Sequence, residues 1–349
     1  MKVVIQIPCL NEESTLASVL KALPTHIEGV DELHIVIIDD GSTDRTLEVA
    51  REHGVTHIVR HARNQGLARS FRDGVEYSLS IGADIVVNTD GDNQYPGDRI
   101  ADLVTPIVAG KADIVMGDRQ THTIEHFSPF KKAMQRFGSW VVNRAAGTDL
   151  PDAASGFRAY SRYSLYRLNI VTQFSYTMET IIQAGNKRLA IISVPIVTNA
   201  KTRESRLFSN MFEHMLKSGQ AILRSYTMFR PWTLFASIAV VFGLIGVFPF
   251  LRFAVLRLAG DDGNHIQSLI FGSAMVVVAV LALALGVLSD LMRNNRILHE
   301  DTLERLREQQ YGPARITEHY RADHATNSAV LPTGTDTHVP ESLAKDGNA

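Results

Sequence analysis

The sequence predicts an α/β domain with a mostly parallel sheet and helices on both faces, followed by two long apolar helices. Short apolar runs alternate with helix-like segments over residues 1–120, and polar residues follow several of those runs. Two long uncharged segments come after residue 230. Strand–helix alternation of this kind is typical of parallel sheets, in which ligands bind beyond the carboxyl ends of the strands.

The elements of the first 120 residues follow in order. We expect strands at 2–7, 32–42, 57–61, 83–92 and 112–119, and helices at 11–23, 43–54 and 67–82. Gly54 and Gly82 end the last two helices, as glycine commonly does. Residues 121–200 are less regular and contain the polar loop "DLPDAASGFRAYSR" at 149–162.

Composition excludes several classes of protein. The chain has 349 residues, a formal net charge of −2 and one cysteine, Cys9. A disulfide framework within the chain and a cysteine-based zinc site are therefore excluded, and the charge gives no reason to expect nucleic acid as a partner. The apolar run at the N-terminus is too short for the core of a signal peptide, so we expect a cytosolic first domain.

The two uncharged segments, 234–251 and 266–288, are 18 and 23 residues long. Each reaches the roughly 20 residues that cross a bilayer. The short link between the two segments predicts a hairpin. The arginines before the first segment and after the second favour cytosolic flanks. The alternative is two buried helices of a soluble domain. We expect an integral membrane protein, in the plasma membrane of a prokaryote.

The remaining segments complete the predicted organisation. Residues 206–226 have apolar positions at helical spacing and cationic residues between them, which is typical of a helix in the membrane interface; a helix packed on the first domain is an equal alternative. The predicted divisions are 1–205 (catalytic domain), 206–230 (amphipathic helix), 231–292 (hairpin), 293–310 (charged helix) and a disordered tail at 311–349.

The stretch "NTDGDNQYPGD" at 88–98 follows an apolar strand and concentrates acidic residues. A solvated turn, a calcium loop and a divalent-metal site are the alternatives. An EF-hand is excluded because Ile100 and Ala101 stand where its final glutamate belongs. Asp90, Asp92 and Gln94 form a sparse oxygen set, which suits Mg²⁺ or Mn²⁺ completed by phosphate oxygens and water.

A second acidic strand end, Asp39–Asp40, precedes the turn Gly41–Ser42. By itself it is a common strand-to-helix turn. No GxGxxG follows the first strand, so a dinucleotide-binding site loses its main support.

Seven motifs occur together in a fixed order: "IPCLNEE", "VIIDDGSTD", "NQGLARSFRDG", "NTDGDNQYPGD", "ADIVMGDR", "DAASGFRAYSR" and "TRESRL". Their order resembles that of family 2 glycosyltransferases, in the polyprenyl- or dolichyl-phosphate hexosyltransferase branch (dolichol-phosphate mannosyltransferase-like). The resemblance covers about residues 3–230 and extends to the hairpin. It implies a GT-A-type fold and a metal-dependent, inverting hexosyltransferase.

The resemblance also implies roles for single residues. The nucleotide pocket would contain Pro8, Asn11, Glu12, Asp39 and Asp40, with Glu12 near the ribose and Asp40, beside Asp39, facing the nucleobase. The metal ligands would be Asp90, Asp92 and Gln94, with Asp90 also facing the nucleotide-sugar. The cationic positions near the phosphates would be Arg119, Arg158, Arg203 and Arg206, and the last two with Ser205 would hold the acceptor phosphate. The family often has lysine where Arg206 stands, and the charge is kept.

The chemistry of such a transfer sets the need for a base. A sugar hydroxyl acceptor requires a carboxylate base, whereas a lipid phosphate is already an anion near pH 7 and requires positioning. The second case predicts an arginine clamp. Asp152 is the candidate base if one is used; the alternatives are a helix cap or a partner of Arg158. The predicted catalytic residues are Asp92, Asp152, Arg119 and Arg158.

The expected function is transfer of a hexose, mannose or glucose, from a UDP- or GDP-sugar to a polyprenyl or dolichyl phosphate at the cytosolic membrane face. One alternative is a glycosyltransferase that acts on a hydroxyl of a lipid or polysaccharide. The non-enzymatic alternative is a catalytically dead sugar-binding scaffold in the membrane.

Overall fold

The computed structural model describes residues 1–120, 129–171, 176–199, 231–260, 263 and 266–314, with the backbone alone at 129–137. Seven strands form one sheet in the order β3-β2-β1-β4-β6-β5-β7. The strands are β1 (Lys2–Cys9), β2 (Glu32–Asp39), β3 (His57–Arg60), β4 (Ile85–Asn88), β5 (Ile114–Asp118), β6 (Arg158–Ser161) and β7 (Ile191–Pro195).

Nine helices are described. They are α1 (Leu16–Ala22), α2 (Thr46–Glu52), α3 (Leu67–Ser80), α4 (Ile100–Val108), α5 (Pro129–Ala146), α6 (Arg162–Arg167), α7 (Tyr176–Asn186), α8 (Pro231–Leu258) and α9 (Ile266–Tyr311). A single 3₁₀ turn, Gly97–Arg99, leads into α4. The mostly parallel α/β sheet predicted from the alternation is therefore confirmed.

One strand departs from the parallel arrangement. β6 pairs antiparallel with both β4 and β5, and the other neighbouring strands pair in parallel. It arises within the polar loop 149–162, where the sequence predicts irregular structure. Four residues are too short for a periodic signal, and β6 is identified only by the strands on either side of it.

The sheet is buried on both faces. Alternate residues of a strand point to opposite faces, so Val4 packs with Phe71 of α3 on one side, whereas Ile5 packs with Leu16 of α1 on the other. Helices α3, α5, α6 and α7 cover the first face, and α1, α2 and α4 cover the second. The near-continuous apolar strands predicted this two-sided burial.

Helices α8 and α9 pack against each other as a hairpin. A Cβ on Gly246 would lie 2.8 Å from the Val276 nitrogen, and one on Gly272 would lie 2.8 Å from the Gly246 carbonyl oxygen, so glycine permits the close approach. The most apolar windows of the two helices are 17% and 22% buried. Both are long and apolar enough to cross a membrane.

Helix α9 continues well past its apolar part. The sequence predicts a separate charged helix at 293–310, but the structure joins it to the second apolar segment in one helix of 46 residues. Its far end lies against the sheet domain. Arg167 of α6 and Glu304 of α9 lie 2.7 Å apart, and Lys187 and Glu300 lie 2.8 Å apart.

Candidate active site

The carboxyl ends of β2, β1 and β4 lie side by side at one edge of the sheet. Cys9 pairs with Asp39 across β1 and β2, and Gln6 pairs with Asn88 across β1 and β4. The three polar segments that follow these strands therefore meet there, as the sequence predicts for a parallel sheet.

The loop after β4 carries Asp90, Asp92 and Gln94. The backbone N–H of Gln94 donates to Asp92 Oδ1 at 3.1 Å, and its side-chain amide donates to Asp92 Oδ2 at 2.7 Å. Asn93, between them, has φ of 60°, a left-handed conformation that asparagine tolerates. The loop thus brings two carboxylates and an amide together just beyond the C-terminal end of β4.

Asp90 is in an unusual electrostatic setting. Burial raises the pKa of its carboxyl from 3.8 to about 7; the negative charges of Asp92 and Glu12 act in the same direction, and Arg119 opposes them. Among the described residues no three His, Cys, Asp or Glu side chains form a metal cluster. Asp90 and Asp92 place two carboxylates close together, which fits a divalent cation whose remaining ligands are other oxygens.

The loop after β1 is tied to the metal loop. Thr15 Oγ1 donates to the Gly91 carbonyl at 2.8 Å and contacts Glu12 Oε2 at 2.9 Å. Pro8 lies near the end of β1, and a Cβ on Gly91 would lie 3.4 Å from its carbonyl oxygen. The predicted nucleotide-pocket residue Glu12 and the acidic loop therefore share one wall of the site.

Asn11 orders the turn after β2. It has φ of 55°, and its Oδ1 accepts from the Thr43 N–H at 2.8 Å. Its own N–H donates to Ser42 Oγ at 3.0 Å. The first two loops are thus joined by side-chain bonds.

Asp39 and Asp40 occupy different positions from those expected. Asp40, predicted to face the nucleobase, accepts from the backbone N–H groups of Gln65 and Gly66 at 2.8 and 2.9 Å, and lies 2.8 Å from His61 Nδ1. Asp39 Oδ1 accepts from the Ser42 N–H at 2.9 Å. Its buried Oδ2 makes no hydrogen bond and lies 3.4 Å from Arg60 Nε. Asp39 Oδ2 therefore keeps the capacity to accept a hydrogen bond, whereas both oxygens of Asp40 already accept bonds within the protein.

Arg119, at the end of β5, is held by Asp152. Its Nε and Nη2 donate to the two carboxylate oxygens of Asp152 at 2.7 and 3.0 Å. Asp152 is 1% exposed, and Arg119 is partly exposed. The suggested pairing of Asp152 with Arg158 is therefore wrong, because the fork of Arg119 occupies both oxygens.

Arg158 is fully buried in β6. Its guanidinium donates to the carbonyl oxygens of Ser155, Thr177 and Ala153 at 2.7–3.0 Å, and to Thr180 Oγ1 at 2.8 Å. The resemblance implied a cation near the phosphates. The structure instead places this cation beneath the site, where it joins the 149–157 loop to α7.

The sequence did not single out a buried polar network beneath Asp90. Asn88 Nδ2 donates to Tyr176 Oη at 2.8 Å and to the Gly156 carbonyl at 3.2 Å, while the Gly156 N–H donates to Tyr95 Oη at 3.0 Å. A Cβ on Gly156 would lie 3.5 Å from Asp90 Oδ2. The available signal was Asn88, a polar residue that ends an apolar strand.

Arg203, Ser205 and Arg206, and the predicted interfacial helix, lie outside the described residues. Asn199, close before them, bonds to the metal loop. Its N–H donates to the Gln94 carbonyl and its side-chain amide to the Asn93 carbonyl, both at 3.0 Å.

Comparison with known proteins identifies the family of the sheet domain. Residues 4–168 match the model of the glycosyl transferase family 2 family. The sheet domain belongs to glycosyl transferase family 2. This chain is therefore a glycosyltransferase, as the motif order predicted.

Two relatives of this glycosyltransferase are each 29% identical to it. They are the UDP-N-acetylglucosamine–dolichyl-phosphate N-acetylglucosaminyltransferase of Methanococcus voltae (55% of this chain, 83% of that protein) and the dolichyl-phosphate hexose transferase of Haloferax volcanii (56% and 82%).

A solved structure shares the fold of the glycosyltransferase. The glucosyl-3-phosphoglycerate synthase of Mycobacterium tuberculosis, in complex with Mn²⁺, UDP-glucose and phosphoglyceric acid, is 22% identical with a TM-score of 0.50. The match covers 65% of this chain and 78% of that one. The predicted GT-A-type sheet is confirmed.

Proposed function

We propose that this glycosyltransferase transfers a hexose, mannose or glucose, from a UDP- or GDP-sugar to a polyprenyl or dolichyl phosphate at the cytosolic membrane face, with inversion. The observation that carries the proposal is the acidic site at the ends of β1, β2 and β4 on a domain to which a hairpin of membrane-spanning length is docked. The names of the two archaeal relatives support the acceptor class.

Asp90, Asp92 and Gln94 are the proposed ligands of Mg²⁺ or Mn²⁺. The donor set is oxygen-rich, and the raised pKa of Asp90 reflects burial beside another carboxylate, a setting that a cation relieves. When bound, the cation would neutralise charge on the departing nucleoside diphosphate. Gln94 would turn its amide oxygen inward, because its nitrogen now faces Asp92.

The chain's own residues would bind and orient the donor. Asp39 Oδ2 offers an acceptor to an N–H of the base. Arg119, partly exposed and fixed by Asp152, would provide a preorganised positive charge for the diphosphate. A fixed cation stabilises charge that develops during transfer without reorganising at that moment.

No strong base is needed for this acceptor. A lipid phosphate is anionic near neutral pH, and it would attack the face of the sugar opposite the leaving group. Asp152 accepts two bonds from Arg119 in a buried setting. We therefore assign Asp152 to the positioning of Arg119.

The acceptor phosphate is assigned to Arg203, Ser205 and Arg206. Arg203 follows Asn199 by four residues in the sequence. Asn199 is bonded to the loop of the proposed metal site.

A donor panel tests the proposal. Purified full-length protein with undecaprenyl or dolichyl phosphate and radiolabelled UDP- and GDP-sugars, with and without Mn²⁺, should give one labelled, mild-acid-labile lipid. Label on a lipid or polysaccharide hydroxyl would move the protein to the hydroxyl-transferring class. Absence of any labelled product across the panel would overturn the proposal and favour a sugar-binding scaffold.

The acceptor assignment has its own test. Arg203→Ala should abolish transfer to lipid phosphate and leave nucleotide binding nearly intact, because the clamp acts on the acceptor alone. The measurement pairs the transfer assay with calorimetric titration of UDP and GDP. Equal loss of both activities would place Arg203 on the donor side.

A further inference from the structure

A buried histidine lies between two carboxylates beside the nucleotide half of the site. His61 follows β3 and is 6% exposed. Its Nδ1 lies 2.8 Å from Asp40 Oδ1, and its Nε2 lies 3.1 Å from Asp73 Oδ2 of α3. The ring of His61 therefore bridges a carboxylate at the end of β2 and a carboxylate of α3.

The two carboxylates that contact His61 differ in their other partners. Asp73 also accepts from Arg69 Nε at 2.7 Å and lies 3.6 Å from Arg72 Nε. Arg60 Nε lies 3.4 Å from Asp39 Oδ2. Among the described residues, the side-chain nitrogen within ion-pair distance of Asp40 is that of His61. His61 therefore connects Asp40 to α3.

This bridge is one of several contacts that join the 61–66 loop to the turn after β2. The His61 N–H donates to the Asp39 carbonyl at 2.9 Å, and the N–H groups of Gln65 and Gly66 donate to the Asp40 carboxylate. Residues 61–66 thus bond to both acidic residues of that turn.

Contact between the two backbones is equally close. Gly41 has φ of +81°, and a Cβ there would lie 2.8 Å from the Arg63 carbonyl carbon. A shift of the 61–66 loop therefore moves the turn that carries Asp39.

We propose that His61 is a positioning residue for the nucleotide-sugar donor. Its ring joins Asp40 to Asp73 and so holds the 61–66 loop and the turn after β2 in the arrangement that directs Asp39 Oδ2 toward the base. The inference rests on the proposed function, since it concerns the donor half of the same site. It concerns donor affinity alone, and the acceptor and the transfer step are unaffected.

The chain offers a variant that separates this role from simple packing. His61→Phe keeps a ring of similar size but lacks both nitrogens. It therefore removes the contacts to Asp40 and Asp73 while it still fills the space that the imidazole occupies.

The experiment is calorimetric titration of the purified protein with UDP and GDP in the presence of Mn²⁺. We expect His61→Ala to weaken nucleotide binding roughly tenfold, the value of a hydrogen bond to a charged group. We expect His61→Phe to weaken binding by a similar factor, because it lacks the two nitrogens that contact Asp40 and Asp73.

Two further measurements complete the design. In the transfer assay His61→Ala should raise the donor KM and leave kcat and the acceptor KM unchanged. His57→Gln, on the same strand but bonded to Tyr77 Oη, should bind nucleotide as the wild type does. If His61→Ala does not fold, the double variant His61→Gln/Asp73→Asn, which rebuilds a neutral bridge, should restore binding.

The outcomes are distinct. Wild-type nucleotide binding by His61→Ala, or by His61→Phe, would overturn the role of His61 and leave the proposed function standing. A wild-type protein that binds neither nucleotide would overturn the proposed function, and this inference with it.

Discussion

At the residue scale, Asp92 is the carboxylate on which the proposed metal site is expected to depend most. Asp92→Asn removes one of two proposed anionic ligands and should lower transfer roughly 100-fold or more, comparable to loss of a major electrostatic contact in an active site. The melting temperature should stay near that of the wild type, because the loop lies at the surface end of β4. Transfer rate and thermal unfolding measure the two effects.

The matched control is Asp98→Asn. Asp98 belongs to the same polar stretch, is exposed, and lies at the start of the 3₁₀ turn that leads into α4. It should retain wild-type transfer. Comparable loss in both variants would indicate that total negative charge, and not a ligand set, is what the site requires.

The raised pKa of Asp90 predicts that the stability of the protein depends on pH. Its pKa is about 7 in the folded protein against an ordinary 3.8, so between these values the folded state holds a proton that the unfolded chain releases. The free energy of unfolding of the metal-free protein should therefore fall as pH rises from about 4 to about 7. Asp90→Asn, which is permanently neutral, should lack this contribution.

Denaturant titrations in EDTA across that range measure the difference between wild type and Asp90→Asn. The difference isolates Asp90 because both proteins share all other titrating groups. Parallel stability curves would show that Asp90 is ionised throughout, as it is in an ordinary solvated turn.

At the element scale, the far end of α9 caps a helix of the catalytic domain. Arg307 Nη1 donates to the carbonyl oxygens of Leu165, Tyr166 and Leu168 at 2.8–3.2 Å, at the end of α6. Arg307→Ala leaves these acceptors without a charged donor, so we expect a loss of about 1–3 kcal/mol in the free energy of unfolding.

Thermal and chemical unfolding in detergent measure that loss. Arg305→Ala, two positions away on the exposed side of α9, is the control and should change stability little. Equal losses of stability in the two variants would mean that the loss of a positive charge on α9, and not the contact with α6, is responsible.

At the scale of the whole molecule, a hairpin that crosses the membrane would determine the side on which the sheet domain lies. Gly260→Cys places a thiol in the link between α8 and α9, and Gln309→Cys places one near the end of α9; both positions are exposed. Native Cys9 is buried. With cytosolic flanks, a membrane-impermeant maleimide added to intact cells should label the link position alone.

Labelling after lysis controls for reactivity, since both thiols should then react. Label on Gln309→Cys alone in intact cells would invert the topology. Label on both would contradict a hairpin that crosses the membrane.

The sequence by itself determined the features that depend on local periodicity. Apolar strands and amphipathic helices alternate, so the parallel sheet follows, and with it the meeting of Asp39, Asp90 and Asp92 at one edge. Two uncharged runs of 18 and 23 residues likewise predicted the long apolar helices. Seven ordered motifs were enough to identify the family.

Only the tertiary structure decided the pairings between distant residues. Asp152 is bonded to Arg119, Arg158 lies beneath the site, and Asp40 is bonded to His61. Asp39 Oδ2 makes no hydrogen bond and faces Arg60 Nε. A motif records which residue types are present, whereas the partner of a charged group depends on which loops the sheet brings together. Each buried carboxylate binds the nearest donors, and their identity is a property of the fold.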